Sequence, residues 1–284
     1  MIDYKKFYDN AVEFLVSYAH ENHLQSYVLG ISGGIDSTVV AAIANEACKR
    51  VSIELIGRSL PTMTNANDER EAALLVGKAF CTDFKEINIG NPSVSLLSFL
   101  TSTEGEMSSL QKGNIKARLR MIYLYHLASM HRGCVLDTDN KTEHELGFFT
   151  IHGDVGDLNC GLIHLWKTDV YNVAKWIHDF APNCTTQTAL QAMEKSIELI
   201  PTDGNGVKEG GDCAQFGLEN YSQVDDVLKT MYFGTPKITK DKDAYIRLID
   251  KYNEQGVDKV MTLHQNSKFK RKHLPIYPDK YTVV

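Results

Sequence analysis

An apolar run, Tyr27-Val28-Leu29-Gly30-Ile31, feeds directly into Ser32-Gly33-Gly34-Ile35-Asp36-Ser37 and then into the helix-forming stretch Thr38 to Cys48. A buried strand that turns through glycine into a helix is the opening unit of a parallel α/β sheet. At such a turn the first amides of the helix lack backbone partners and the positive end of the helix dipole points the same way, so one spot collects anion-binding groups. That spot suits a phosphate. Glycine lets the backbone approach the anion, Ser32 and Ser37 add hydroxyl donors, and Asp36 is a poor direct partner for phosphate but a good ligand for Mg²⁺. The candidate phosphate loop is therefore Gly30, Ser32, Gly33, Gly34, Ile35, Asp36 and Ser37. The third glycine of a G-x-G-x-x-G fingerprint is missing and no G-K-[ST] follows, which disfavours a dinucleotide fingerprint and a kinase-like P-loop.

The rest of the chain keeps the same rhythm. Residues 4 to 20 carry Phe7, Ala11, Leu15 and Tyr18 at helical spacing, and Ser26 to Ile31 supplies the first strand. Ser52 to Leu60 reads as a second strand, Asn67 to Phe80 as a helix with a polar start, and Asp83 to Ile89 as a third strand. The Pro-, Ser- and Gly-rich stretch Gly90 to Ser109 reads as loose chain, followed by a long helix from about Gly113 to Arg132. Gly133 to Leu136 forms a fourth strand that ends at Asp137-Thr138-Asp139. Strands alternating with helices predict an α/β fold, a doubly wound and mostly parallel sheet with helices on both faces, whose ligands sit at the carboxyl ends of the strands. No linker divides residues 1–284, so one domain is expected. Asp203-Gly204-Asn205-Gly206 and Lys208-Glu209-Gly210-Gly211 predict a mobile loop at about 202–217, and a basic segment occupies about 266–284.

Composition narrows the function classes. A net charge of −6 argues against a general nucleic-acid binder, although basic residues cluster from Lys112 to Arg120 and from Lys268 to Lys272. Six cysteines stand far apart without a C-x-x-C pair, several of them in apolar segments, and read as reduced core residues. No apolar run approaches the length of a membrane span and no secretory signal is visible, so a cytoplasmic protein without membrane or nucleic-acid partners is expected.

Further segments carry the chemistry. Gly113-Asn114-Ile115-Lys116-Ala117-Arg118 sets Asn114 and Arg118 one helical turn apart, able to face one ligand. Then follow Asp137-Thr138-Asp139-Asn140-Lys141-Thr142-Glu143, Gly147-Phe148-Phe149-Thr150, Gly153-Asp154 and Leu165-Trp166-Lys167-Thr168-Asp169. With Ser-Gly-Gly-x-Asp-Ser in front, this order and spacing resembles the ammonia-dependent NAD synthetases, members of the adenylating ATP pyrophosphatases. The resemblance extends from about residue 25 to about residue 275.

The resemblance implies an adenine nucleotide alpha-hydrolase-like fold and a ligase reaction. Such enzymes adenylate the nicotinate carboxylate of deamido-NAD with ATP and Mg²⁺, releasing pyrophosphate, and ammonia then displaces AMP. It assigns Asp36 and Glu143 to Mg²⁺, the glycine loop with Thr138, Lys167 and Thr202 to ATP, and Asn114, Arg118, Asp157 and Lys270 to deamido-NAD. Lys167 would offset charge on the leaving pyrophosphate, and Asp154, beside the dinucleotide residues, is a candidate for orienting or deprotonating ammonia. A homodimer is implied as well, with the dinucleotide site at its interface. The chain has no room for an amidase domain, so ammonia would be free or supplied by a separate glutaminase.

Departures from the family pattern fall on the dinucleotide side. Ile151 stands where a lysine is usual, Val155 interrupts a glycine run with slightly shifted spacing before Asp157, and Phe269 replaces a histidine before Lys270-Arg271. The ATP side is intact. Two other readings follow: an adenylating enzyme that amidates a different carboxylic acid, or a nucleotide-binding module without catalysis, though the latter would have little use for Asp36, Glu143 and Lys167 together.

Overall fold

The computed structural model describes residues 2–62, 65–202, 211–233, 242–272 and 275–279. Five strands form one sheet: β1 (Ser26–Gly30), β2 (Glu54–Ser59), β3 (Asp83–Glu86), β4 (Gly133–Asp137) and β5 (Leu158–Asn159). Their order is β3-β2-β1-β4-β5, and every pairing is parallel. Chain order therefore reverses between β1 and β4, opening a crevice at their carboxyl ends. Both the glycine loop and the Asp137–Glu143 motif begin there.

Side chains alternate across the sheet with period two. Tyr27 and Leu29 enter one core with helices α1 (Tyr4–Glu21), α2 (Ile35–Val51) and α3 (Asn67–Phe80). The same core takes α7 (Lys167–Phe180) and α8 (Gln187–Glu198). Val28, Ile56 and Val135 face the other way, onto Met121, Leu124 and Leu127 of α5 (Ser109–Met130). The expected helices on both faces are present.

Two local readings change. The stretch expected to be loose contains a helix, α4 (Gly90–Glu104), and Pro92 lies in its first turn, where proline is tolerated. Only Gly90 and Ser93 of α4 are buried, so its sequence carries no apolar stripe to read. The long helix starts at Ser109 because Ser108 and Gln111 form a capping box. Strand β5 was not anticipated from sequence; two residues leave no periodic signal.

A third core joins α6 (Lys141–Leu146) to α9 (Gly211–Phe216), α10 (Tyr221–Leu228), α11 (Lys242–Lys251) and α12 (Glu254–Asn266). Residues 203–210 of the expected mobile loop lie outside the described residues, and Gly211–Phe216 is helical. All six cysteines are unpaired. Burial pushes the thiols of Cys48, Cys134, Cys160 and Cys213 up to about 12, which suits structural side chains. No helix among the described residues is long and apolar enough to cross a membrane.

Candidate active site

The loop after β1 holds its shape through its own hydroxyls. Ile31 remains tied to the sheet, its N–H donating to the Arg58 carbonyl at 2.8 Å. Gly33 then turns through φ +86°, and α2 starts at Ile35 with Gly34 as an N-cap that offers no side chain. Ser32 Oγ accepts from the Gly34 amide at 3.2 Å and lies 3.0 Å from Ser37 Oγ. Thr38 Oγ1 donates to the Gly34 carbonyl at 2.9 Å and meets Ser196 Oγ of α8 at 2.8 Å. An uncapped helix end facing the crevice is an anion site in waiting.

A buried cation centre stands beside it. Lys167 opens α7 at 2% exposure, and its Nζ donates to Asp36 Oδ2 and, at 2.9 Å, to Glu143 Oε1. Asn140 completes the arrangement. Its Oδ1 accepts from the Glu143 amide at 3.1 Å as N-cap of α6, while its Nδ2 donates to Asp36 Oδ1 at 2.8 Å. Burial pushes the Glu143 carboxyl up to about 7 against the pull of the Lys167 charge, and the Asp36 charge adds to the rise. For Lys167 burial opposes the charge, yet Asp36 and Glu143 outweigh it and raise its pKa. A single cationic head seated between two carboxylates marks a position where positive charge is favoured. Among the described residues no cluster of three or more His, Cys, Asp or Glu side chains could hold a metal ion. Asp36 and Glu143 are hard oxygen donors that converge on one point, a donor type that fits Mg²⁺ sharing its remaining positions with phosphate and water.

Asp225 fixes the distance between α6 and α7. Its carboxylate accepts from Thr142 Oγ1 of α6 and from both the amide (3.0 Å) and hydroxyl (2.7 Å) of Thr168 on α7. Thr142 Oγ1 also takes the Lys167 amide at 2.8 Å. A carboxylate of α10, at 1% exposure, thus brackets the helices that carry Glu143 and Lys167. Sequence reading missed it because its partners lie 57 and 83 positions away. Asn140 had a readable signal, the N-x-x-E capping pattern with Glu143.

The residues assigned to the dinucleotide gather around the segment after α6. Thr150 Oγ1 donates to Asn114 Oδ1 at 2.7 Å, Arg118 Nε donates to the Ile151 carbonyl at 3.2 Å, and the Thr150 amide donates to Asp154 Oδ2 at 2.6 Å. Asp154 is exposed. Lys270 Nζ braces the segment from behind, donating to the carbonyls of Gly147 (2.8 Å) and Phe149. Asp157 stands apart at the entry to β5, its Oδ1 accepting from Tyr125 at 2.6 Å. Thr138 follows β4 directly and is half-buried. The Thr202 hydroxyl donates to the carboxylate of Glu69, the residue whose carbonyl packs on Gly33.

Comparison with known proteins agrees with this geometry. The sequence pattern of the family described as NAD synthase matches residues 7–274. The NH(3)-dependent NAD(+) synthetase of Latilactobacillus sakei is 37% identical over 289 aligned positions, covering 97% of this chain and 91% of that protein. That of Pyrococcus horikoshii is 31% identical, covering 95% of each. Among solved structures, the NMN synthetase of Francisella tularensis superposes with a TM-score of 0.74 at 24% identity, over 98% of this chain and 100% of that one, a likeness of fold. With its match running nearly end to end, and with the glycine loop, Asp36, Glu143 and Lys167 assembled at one crevice, the chain belongs to the NAD synthase family.

Proposed function

We propose that this protein is an ammonia-dependent NAD synthetase, converting deamido-NAD, ATP and ammonia into NAD, AMP and pyrophosphate. The observation that carries the reading is the Asp36–Lys167–Glu143 centre placed against an uncapped helix end at the sheet's switch point. A carboxylate is a poor acyl donor, and joining it to AMP supplies the leaving group. The protein's task is to neutralise phosphate charge, align two nucleotides and exclude water from the acyl adenylate.

The chain's residues divide that work. The amides at Gly33 to Asp36 and the hydroxyls of Ser32 and Ser37 receive the phosphates of ATP, with Thr138 and Thr202 at the edges of the same cleft. Asp36 and Glu143 would hold Mg²⁺, which would supply charge neutralisation on those phosphates. Lys167 then turns from the two carboxylates toward the departing pyrophosphate, keeping its proton throughout. Asn114 and Arg118 orient the dinucleotide, Lys270 holds the Gly147–Phe149 backbone that faces it, and Asp154 stands beside them. Ile151 presents its carbonyl to Arg118, which keeps a cation on this side although the usual lysine is gone.

A homodimer follows from the same reading. Val94 and Phe99 of α4 with Leu110, Ile122 and Met130 of α5 are each more than half exposed, an apolar surface on the pair of helices that also carries Asn114 and Arg118. Six unpaired thiols suit the reducing cytoplasm, and ammonia arrives free or from a separate glutaminase.

Purified protein supplied with ATP, Mg²⁺, ammonium and deamido-NAD is expected to yield NAD, AMP and pyrophosphate in equal amounts. Nicotinate mononucleotide, assayed alongside, tests the acid accepted: exclusive turnover of the mononucleotide would overturn the substrate assignment. Asp36→Ala should lose Mg²⁺-dependent turnover by roughly 10²-fold or more while keeping its far-ultraviolet dichroism. Near-normal activity in that variant would remove Asp36 from the metal site.

A further inference from the structure

Helix α10 reaches the cation centre at two points. Asp225 ties α6 to α7, and Tyr221, one helical turn earlier, presents its ring to Lys167, whose Nζ lies over it at 5.1 Å from the centroid. The tyrosine is 5% exposed and the lysine 2%, so the contact is made away from bulk water. The face of an aromatic ring carries negative charge from its quadrupole, and a desolvated ammonium at this distance is drawn to it. Lys167 therefore has three partners here, two carboxylates and a ring.

The ring is itself held from several sides. Its hydroxyl donates to Asp212 Oδ2 at 3.2 Å, and the Asp212 amide donates to the Pro201 carbonyl at 2.9 Å. Burial, and after it the Asp212 charge, push the Tyr221 phenol well above the ordinary tyrosine range, so the hydroxyl keeps the proton it donates. A phenol that donates to a carboxylate has a more electron-rich ring, which strengthens its pull on a cation. Phe216 meets the Tyr221 ring at 72° with centroids 6.3 Å apart, and stands edge-on to Phe148 at 5.0 Å. Asn220 caps the helix just before it, its Oδ1 accepting from the Gln223 amide at 3.1 Å. Fixed at its hydroxyl, its ring and its backbone, Tyr221 stays in place while a partner moves.

Lys167 is such a partner. Asp36 and Glu143 hold its head through directed hydrogen bonds, and both must release it when its donors turn to pyrophosphate. A lysine on its flexible stem, let go by both at once, loses its aim. Attraction to a ring face is of another kind: it acts on the charge, occupies no N–H and sets no direction for the N–H bonds. It survives the exchange of hydrogen-bond partners. Resting on the function proposed above, we infer that Tyr221 is the positioning residue for Lys167, its ring holding the ammonium head while the donors pass from Asp36 and Glu143 to the departing pyrophosphate. Charge grows on the pyrophosphate only as it leaves, so an aimed cation lowers the barrier more than it tightens ATP binding. The effect of Tyr221 therefore belongs in the rate of pyrophosphate release, not in the KM for ATP.

The test changes the charge of the ring at nearly constant shape. Pyrophosphate release from ATP and deamido-NAD is followed in single turnovers at saturating substrate. Tyr221→Phe is expected to lose about threefold, the contribution of the Asp212 hydrogen bond. Phenylalanines carrying one, two and three fluorines, introduced at position 221 by nonsense suppression, draw electrons from the ring face step by step. The logarithm of the rate should fall in proportion, reaching roughly 10-fold below Tyr221→Phe with three fluorines, with the KM for ATP little changed. Tyr221→Leu, which has no ring, should lose at least as much. A packing role predicts a flat series, because fluorine is hardly larger than hydrogen; a flat series, or a loss confined to the KM for ATP, would overturn the assignment. In a Lys167→Met background the series should be flat, and a slope that persists without the cation overturns it equally. If melting curves show that background to be unfolded at the assay temperature, the series with Lys167 in place decides alone. Failure of the wild-type protein to release pyrophosphate from ATP and deamido-NAD would instead overturn the proposed function.

Discussion

Replacing Lys167 with methionine is expected to slow pyrophosphate release by roughly 10²- to 10³-fold and to destabilise the ligand-free protein at pH 8 by about 3 kcal/mol. The first effect is loss of the charge that follows the leaving group. The second arises because Asp36 and Glu143 remain side by side and largely buried, at 14% and 16% side-chain exposure, with no cation between them. Its pH dependence has a definite sign. Glu143 ionises near 4.5 when unfolded and near 7 when folded, so in that window the folded state holds the extra proton and stability falls as pH rises. Without Lys167 the downward pull on Glu143 is gone and the window extends further upward. The penalty should therefore shrink as the solution is taken from pH 8 to pH 6 and Glu143 protonates. Mg²⁺ should raise the melting temperature of the variant more than that of the wild type, because its ligands no longer hold an ammonium group. Urea titrations at both pH values and melting curves with and without Mg²⁺ check this. A penalty independent of pH, or unchanged Mg²⁺ stabilisation, would mean that the three groups do not share one charge balance.

Gly33→Ala is expected to destabilise the fold by about 3 kcal/mol or more and to abolish ATP binding. Gly33 has φ +86°, and a Cβ built there would stand 2.6 Å from the Glu69 carbonyl, 2.7 Å from the Ala73 amide and 2.9 Å from the Ala72 methyl. The loop is pressed against α3 and cannot move away without leaving the crevice. Gly105 provides the control. Its φ is +91° with ψ −171°, a backbone conformation essentially reserved for glycine, but nothing lies within 4 Å of a Cβ there, so Gly105→Ala should cost only that backbone strain, about 1–3 kcal/mol. If denaturation gives the two variants equal losses, backbone strain alone decides the loop and the close approach of α3 is irrelevant.

What could be read from the sequence was whatever one element declares by itself. The path from Tyr27 to Cys48 was legible because a buried strand, a glycine turn and a helix each leave a local mark. Helix α4 was not, since Gly90, Asn91, Pro92, Ser93 and Ser95 carry the composition of a loop and the helix buries almost nothing that would impose a period. Glu143 and Lys167 could be named from their motifs, but not that both would hold the same atoms as Asp36. That contact is made in three dimensions, by a capping asparagine on one helix and a bracket from another. Asp225 leaves no sequence mark at all, because a carboxylate's partners are set by topology.

The Asp225 bracket ties turnover to a helix that lies outside the sheet. Helix α10 is packed into the helical layer around Leu146, Phe216 and Val257, away from the sheet, yet it sets how far apart α6 and α7 stand. Loosening that layer alone would spread the carboxylates and their lysine while leaving every strand pairing in place. On gentle heating, enzyme activity would then disappear before the spectroscopic signal of the sheet, and an inactivation midpoint would report the endurance of the helical layer, not of the whole protein.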